Sequence, residues 1–159
     1  MLKSNTLHIL RGVFDIKKGK NMPVRNEKFL LSTKGFNDII DITSKVADFV
    51  RLGGEKNAIV HIYTPGSTVS ITTLEYEPGL VKDLPEALEK IAPINKTYEH
   101  DKQWHDGNGH AHIRASMIGN SVTVPLAAGQ LELGSWQQIV LIDFDNKPRT
   151  RSVIVQILS

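Results

Sequence analysis

The spacing of apolar residues predicts two helices. From Asn37 onwards, isoleucine, valine and phenylalanine recur every three or four positions, and Gly53 and Gly54 provide a C-terminal stop. A second stripe of leucine and isoleucine begins at about Gly79, and a proline ends it. The polar residues 97–109 that follow show no periodicity, so we expect a long loop there.

Short β-branched segments bounded by glycine, proline or asparagine predict seven or eight strands. Before the second helix these segments are residues 28–32, 57–63 and 68–75. Two helices combined with strands whose last members are linked by hairpins predict an α+β fold: a single domain with a mostly antiparallel sheet or two packed sheets. After the polar loop we expect strands only, in the segments HIRASMI, SVTVP, LELG, WQQIVLIDF and TRSVIVQIL.

The composition is that of an ordinary globular protein, and it excludes several classes of protein and of chemical site. The 159 residues, 40% of them apolar and 23% charged, suit one domain with a sizeable core. No apolar run is long enough to span a bilayer, and His8 and Arg11 interrupt the only N-terminal stretch that resembles a signal peptide. The absence of cysteine excludes disulfides, thiolate zinc sites and cysteine nucleophiles. We therefore expect a cytoplasmic protein.

The charge is distributed unevenly along the chain. Its formal net value is +2, but residues 1–21 hold five basic side chains against one acidic, so the remainder is slightly acidic. A nucleic-acid-binding surface would need lysine and arginine clustered on the folded body. We therefore predict a basic N-terminal arm or extension over residues 1–21, a single domain over residues 22–159, and neither nucleic acid nor membrane as a partner.

A cluster of histidines is the strongest chemical signal. Four of the six histidines, His100, His105, His110 and His112, fall within thirteen residues. On a strand, His110 and His112 would point to the same face of the sheet, and His100 could add a third imidazole. Such a set gives a divalent metal three ligands and leaves a position open for water or substrate. Surface histidines on a polar loop are the alternative.

A second cluster is acidic. Glu75 and Glu77 end a predicted strand on one face, and Asp83 lies in the first turns of the helix that follows. Carboxylates placed there can orient a ligating imidazole, act as a base, or hold magnesium on a phosphorylated substrate. Helix capping and solvated charge explain the same residues equally well.

Two arginines near the C-terminus are candidates for phosphate binding. Arg149 and Arg151 stand two apart on a predicted strand, so their guanidinium groups lie on one face, which suits a phosphate group. A subunit interface would use the same pair. The nearby Trp136, in the turn LELGSWQQI, is expected in the core.

Taken in order, the motifs of the body resemble one family. The segments ITTLEYEPGLVKDL, YEHD, NGHAHIRASMIGNSVTVP and GQLELGSWQQIVLIDFD, followed by RTR, resemble the YjbQ family over roughly residues 23–158. Members of that family are described either as uncharacterised or as secondary thiamine-phosphate synthase. The resemblance implies a compact, predominantly antiparallel α+β domain that assembles as a homotrimer and binds a divalent metal at a histidine site.

The resemblance also implies a set of site residues. His100 and His112 would be metal ligands, with Glu75, Asp83 and Asn108 as nearby catalytic groups. Many relatives carry a further site histidine where this chain has Gly66, and His110 is then the candidate replacement. We expect zinc first, although magnesium, manganese, nickel or iron also suit these donors. The candidates for phosphate binding are Arg114, Arg149 and Arg151.

The implied function is that of a weak, secondary thiamine-phosphate synthase. Such a transferase joins a pyrimidine methyl diphosphate to a thiazole phosphate. Two alternatives use the same residues. One is a metal-dependent hydrolase or lyase acting on a small phosphorylated metabolite. The other is a trimeric protein that binds a metal or ligand without catalysis.

Overall fold

A computed structural model describes residues 23–159 of the chain, and the predicted arm of residues 1–21 lies outside the described residues. The described part contains eight strands and four helices. Their order is β1 (Val24–Thr33), β2 (Asp38–Asp41), α1 (Thr43–Gly53), β3 (Ala58–Tyr63), β4 (Val69–Leu74), α2 (Leu80–Ile91), α3 (Glu99–Trp104), α4 (Gly109–Ile118), β5 (Ser121–Ala127), β6 (Gln130–Leu131), β7 (Gln138–Asp143) and β8 (Arg149–Leu158).

The strands form two antiparallel sheets. The larger sheet has the order β1-β8-β3-β5-β6, and the smaller sheet has the order β2-β7-β4. All of these pairings are antiparallel, which confirms the predicted α+β class. Strands β5 and β6 are linked as a hairpin, but β7 and β8 belong to different sheets, so the predicted hairpin between them is wrong. The turn between them carries the chain from one sheet to the other.

The smaller sheet lies between two layers of core, because β7 is buried on both faces. Ile139 and Leu141 pack into a main core shared with the larger sheet and α1. Val140 and Ile142 face the opposite way, into a smaller core under α2 and α4. A strand that is covered on both faces has a continuous run of apolar residues, as the segment IVLI of β7 does. None of the four helices in residues 23–159 is long and apolar enough to cross a membrane.

The structure corrects the predicted helices at three points. Helix α1 begins at Thr43 rather than near Asn37, because the preceding residues pair with β7 as strand β2. Its predicted stop is confirmed, since Gly54 ends it with φ of 76°, a conformation that glycine adopts without strain. The expected polar loop contains helix α3, and HIRASMI, predicted as a strand, forms helix α4. Within residues 23–159, four helices therefore replace the predicted two.

Candidate functional site

His100 and His112 meet at the junction of two helices. His100 lies on α3 and His112 on α4, and the centroids of their rings are 4.3 Å apart. The junction is closed by Asp101, whose carboxylate accepts a hydrogen bond of 2.8 Å from the Gly109 N–H. His105 turns the chain between the helices in the left-handed region, with φ of 55°. The structure thus brings together two of the predicted imidazoles.

Asn108 and Asp106 support the imidazole of His100. Asn108 is buried, and with its amide oriented to donate, its nitrogen lies 3.2 Å from His100 Nε2 and 3.2 Å from both Asp106 carboxylate oxygens. His100 Nε2 is also 3.5 Å from Asp106 Oδ1. Asn108 therefore ties the ring of His100 to a carboxylate, the kind of contact that fixes the orientation of an imidazole.

His112 is held in its neutral form. Burial lowers the pKa of His112, and the neighbouring His100 lowers it further. The negative charges of Asp106, Asp145 and Asp101 act in the opposite direction without cancelling this effect. An imidazole that is neutral near pH 7 can accept a proton or a metal ion, and it can donate one N–H.

His112 lines an open cleft of about 640 Å³. Among the described residues that line this cleft none is an aspartate, glutamate, lysine or arginine, and the polar ones are hydroxyl, amide or imidazole groups. The cleft is large enough for a small metabolite. Its lining residues are Tyr63, Gly66, Ser67, Val69, His112, Ala115, Ser116, Gly119 and Asn120.

His110 does not join the pair, so its predicted place beside His112 is wrong. Two residues apart on a helix point about 200° away from each other, whereas on a strand they would share a face. His110 is 1% exposed, and its Nδ1 has no hydrogen-bond partner among the described residues. Burial lowers the pKa of His110, and the charge of Arg114 lowers it further.

The predicted three-ligand metal site is incomplete in the described part of the chain. Within residues 23–159, no group of three or more histidine, aspartate or glutamate side chains is arranged to hold a metal ion. His100 and His112 provide two imidazoles, and His110 lies apart from them. The donors therefore do not fit a divalent metal as they stand, and a further ligand from elsewhere would be required.

The acidic cluster does not join the histidines either. Glu75 and Asp83 are exposed, and their side chains make no hydrogen bond to another described residue. Glu77 caps helix α2, because its carboxylate accepts hydrogen bonds from the backbone N–H groups of Gly79 and Leu80. These two bonds lower the pKa of Glu77. The capping alternative thus accounts for Glu77, and the geometry supports no catalytic role for Glu75 or Asp83.

Arg114, a predicted phosphate ligand, is a structural residue. Its side chain is completely buried, and Nε donates to the Ala92 carbonyl at 3.0 Å. Nη1 donates to Asn37 Oδ1 at 2.7 Å, and Nη2 donates to Glu89 Oε2 at 2.5 Å. These bonds fasten α4 to the end of α2, and they leave no guanidinium face open to a ligand from solvent. We therefore remove Arg114 from the predicted phosphate-binding set.

Arg149 and Arg151 face two carboxylates that the sequence analysis missed. Arg151 donates from Nε and Nη2 to the two oxygens of Asp143, at 2.7 and 2.6 Å. Arg149 donates from Nε to Asp145 Oδ2 at 2.9 Å. Both aspartates are almost completely buried, at 0% and 1% exposure. The arginines share one face, as predicted, and their charges are balanced there.

Asp145 connects these ion pairs to the rest of the site. Burial by itself raises the pKa of Asp145, but hydrogen bonds from Thr68 and Arg149 outweigh it and keep the pKa below its ordinary value. Asp145 is therefore charged near pH 7. Its neighbour Asn146 donates from Nδ2 to the backbone carbonyl of Asp106 at 2.6 Å, which joins the turn after β7 to the loop that holds His100.

The sequence contains a signal for the buried aspartates. The segment IVLIDFD is apolar except for two acids at positions 143 and 145, and RTR follows it with the same spacing of two. Buried acids are rarely unpaired, so matched pairs with this spacing indicate ion pairs between the two segments. Asp106 offers no such signal, because it lies among other polar residues of the loop.

The sequence model of the family described as "UPF0047 protein YjbQ-like" matches residues 27–159. The chain belongs to this family. A UPF0047 protein of Archaeoglobus fulgidus is 44% identical over 76% of this chain and 91% of its own length. The UPF0047 protein YugU of Bacillus subtilis is 33% identical over 80% of this chain and 95% of its own. The predicted family is thereby confirmed.

Solved structures of UPF0047 proteins share the fold. A YbjQ-like protein of unknown function from Sulfolobus solfataricus superposes with a TM-score of 0.82 at 31% identity, covering 87% of this chain and 99% of its own. An uncharacterized conserved protein of the family from Clostridium acetobutylicum gives a TM-score of 0.76 at 34% identity, covering 83% of this chain and 99% of its own. The names of these relatives give the family and no activity.

Proposed function

We propose that the cleft lined by His112 is the active site of an enzyme that acts on a small phosphorylated metabolite. The observation that carries this proposal is a neutral, partly buried imidazole at an open cleft, backed by a second imidazole that an amide and a carboxylate hold in place. Perturbed histidines of this kind in a cleft are typical of catalytic sites. Arg149 and Arg151 remain the candidates for the phosphate.

The reaction to test first is the one implied by the family resemblance, a thiamine-phosphate synthase-type transfer. The bond between the pyrimidine methylene carbon and a diphosphate oxygen breaks, and both electrons leave with the diphosphate. The thiazole nitrogen then forms the new C–N bond with its lone pair. A protein assists such a step by holding the reactants in line and by stabilising the departing charge. Here the neutral His112 would donate its N–H to the diphosphate.

Hydrolysis or elimination of a single phosphorylated metabolite is the second candidate. It is favoured by the described residues of the site, because Arg114 is committed to the fold, Asp143 and Asp145 balance the other two candidate arginines, and no described residue that lines the cleft is a lysine or arginine. One phosphate group needs fewer cationic partners than the two phosphorylated substrates of the transfer. In this reaction His112 accepts the proton of the attacking water or of the substrate carbon.

One assay separates the candidates. The full chain is incubated with pyrimidine methyl diphosphate and thiazole phosphate together, and with each alone, and phosphorus NMR follows every product. Thiamine phosphate with equimolar pyrophosphate supports the transfer, whereas inorganic phosphate from one substrate alone supports the hydrolase. No turnover of these or of a panel of phosphorylated metabolites would contradict the proposal and favour the non-enzymatic binding protein.

Two further expectations accompany the proposal. A divalent metal, zinc first, stays a prediction, and elemental analysis of the chain purified without a histidine tag tests it. A homotrimer also stays a prediction. Neither expectation is needed for the imidazole chemistry proposed for His112.

A further inference from the structure

The turn that joins α4 to β5 forms one wall of the open cleft, and hydrogen bonds to three neighbouring elements fix its position. The Gly119 N–H donates to the Ala115 carbonyl at 2.8 Å, and the Gly119 carbonyl accepts from the Ile71 N–H at 3.2 Å. The Asn120 carbonyl accepts from the Thr64 N–H at 2.9 Å. The wall is therefore held between α4, β4 and the end of β3.

Gly119 gives this turn a backbone conformation that is essentially restricted to glycine. Its φ of 93° and ψ of 163° lie in a region that residues with a Cβ atom avoid. The space in which a Cβ atom would lie is open. Such conformations persist where the surrounding structure requires them, and they are frequent at ligand-binding sites. The glycine is thus required for the turn that places Asn120 in the wall of the cleft.

Asn120 and Tyr63 are neighbours in this wall. Tyr63 is the last residue of β3, and it pairs with Ser121, the residue after Asn120. Both side chains are half-buried, and within residues 23–159 neither the Asn120 amide nor the Tyr63 hydroxyl makes a hydrogen bond. An aromatic ring can stack on a flat ligand, and an amide presents a donor and an acceptor in one plane.

The described lining of the cleft contains no aspartate, glutamate, lysine or arginine, and burial lowers the pKa of its only histidine, His112. Charged groups that bind phosphate or carboxylate through paired hydrogen bonds are therefore missing from this lining. The described wall suits the uncharged part of a substrate instead. An amide next to an aromatic ring is complementary to a flat ring whose edge carries an acceptor beside a donor, as when asparagine binds adenine.

We propose that Asn120 and Tyr63 form a subsite for an amino-substituted, nitrogen-containing aromatic ring of the aminopyrimidine type. This inference rests on the proposed function, and it names the class of the uncharged part of the substrate for transfer and hydrolysis alike. The Asn120 NH₂ group donates to a ring nitrogen, and its oxygen accepts from the adjacent amino group. The Tyr63 ring stacks on the face of the ligand. The bound ring then shares the cleft with His112.

Binding of 4-aminopyrimidine, followed by ligand-observed NMR on the full chain, tests the subsite without phosphate and without turnover. The comparison ligand is 4-methylpyrimidine, in which a methyl group replaces the amino donor. The decisive variant is Asn120→Asp, which preserves the shape of the side chain but removes its NH₂ donor. The matched control is Asn57→Asp, the same change at an exposed amide outside the cleft lining. Thermal melts of all proteins monitor the fold.

Two variants of Tyr63 separate stacking from hydrogen bonding. Tyr63→Phe keeps the aromatic ring and removes the hydroxyl, whereas Tyr63→Leu removes the ring. We expect Tyr63→Phe to bind 4-aminopyrimidine as the wild type does, and Tyr63→Leu to bind it about fivefold more weakly. Wild-type affinity in Tyr63→Leu would overturn the stacking assigned to this residue.

We expect Asn120→Asp to weaken binding of 4-aminopyrimidine about tenfold or more, and Asn57→Asp to leave it unchanged. The wild type should bind 4-methylpyrimidine about tenfold more weakly than the amino compound. Absence of binding, wild-type affinity in Asn120→Asp, or equal affinity for the two ligands would overturn the subsite. Tighter binding of ribose would also overturn it, because the cleft would then serve hydroxylated ligands.

The subsite and the proposed function can fail separately. If 4-aminopyrimidine binds as expected but no phosphorylated metabolite is turned over, the subsite stands and the proposed enzymatic function fails. If a sugar phosphate is turned over at the same rate by the wild type and Asn120→Asp, the enzymatic function stands and the subsite is overturned.

Discussion

Arg114 and Arg151 differ in how many of their guanidinium nitrogens are hydrogen-bonded to described residues. Arg114 is completely buried, and three of its nitrogens are bonded to groups on other elements. Arg151 donates from Nε and Nη2 to Asp143, and within residues 23–159 its Nη1 makes no hydrogen bond. The first arginine connects parts of the fold, and the second balances the charge of a buried aspartate.

The role of Arg114 predicts a large effect on stability. Arg114→Ala would leave the Ala92 carbonyl and Asn37 without their donor and would open a cavity under α4. We expect a loss of about 3 kcal/mol in the free energy of unfolding, measured by urea denaturation. Arg51→Ala, which removes an exposed ion pair with Asp48, is the control and should change stability little. A small change in Arg114→Ala would contradict the structural role.

Only some residues of the site could be predicted from the sequence. The density of histidines and the family resemblance together predicted His100 and His112, which the structure brings together, and also His110, which it does not. The roles of Asp106, Asp143 and Asp145 depend on contacts between residues distant in the sequence, which a single sequence does not contain. Arg114 was misassigned because residue type does not reveal burial.

Helix α4 shows why an element can be predicted incorrectly. Its buried face contains the polar residues His110 and Arg114, whereas Ile113 and Met117 are 40% and 53% exposed. Apolar periodicity identifies a helix only when apolar residues face the core. Here the pattern is inverted, so HIRASMI resembles a strand. Helix α2, with its leucines facing inwards, was predicted correctly.

The buried histidine of α4 predicts a dependence of stability on pH. Burial lowers the pKa of His110 in the folded state, whereas a histidine in the unfolded chain has its ordinary pKa of about 6.5. Below that pH the unfolded chain therefore binds a proton more readily than the folded protein does. The stability associated with neutral His110 is therefore complete above that pH and declines as the pH falls. The decline is at most about 1.4 kcal/mol per pH unit for one proton.

Urea denaturation between pH 7.5 and pH 5 measures this effect. The side chain of His110→Gln cannot be protonated, so we expect this variant to lose less stability over the range than the wild type does. His105→Gln, which alters an exposed histidine of the preceding loop, should retain the wild-type dependence. An identical pH dependence in the wild type and His110→Gln would contradict the prediction.

At the scale of the whole molecule, local patterns predicted the class but not the arrangement. β-branched segments and turn residues were sufficient to predict an α+β fold with a mostly antiparallel sheet or two packed sheets. The order β1-β8-β3-β5-β6 and the passage from β7 to β8 between sheets depend on long-range pairing. This passage places Arg149 and Arg151 opposite Asp143 and Asp145.

The family resemblance predicts a homotrimer. Large apolar side chains on the surface are consistent with contacts to other copies, since Leu52 is 83% exposed, Trp136 72% and Trp104 66%. The exposure of Trp136 also corrects the expectation that it lies in the core. Sedimentation equilibrium of the full chain should give the mass of three chains. A monomeric mass at all concentrations tested would contradict the prediction.

A comparison of turnover in three proteins tests most directly whether His112 acts at the cleft. Wild type, His112→Asn and His105→Asn are assayed with pyrimidine methyl diphosphate and thiazole phosphate, and with each substrate alone. Asparagine is tolerated in the left-handed conformation of His105, which makes that variant a suitable control. We expect His105→Asn to match the wild type and His112→Asn to lose about a hundredfold or more of the activity. Equal activity of wild type and His112→Asn would contradict the account.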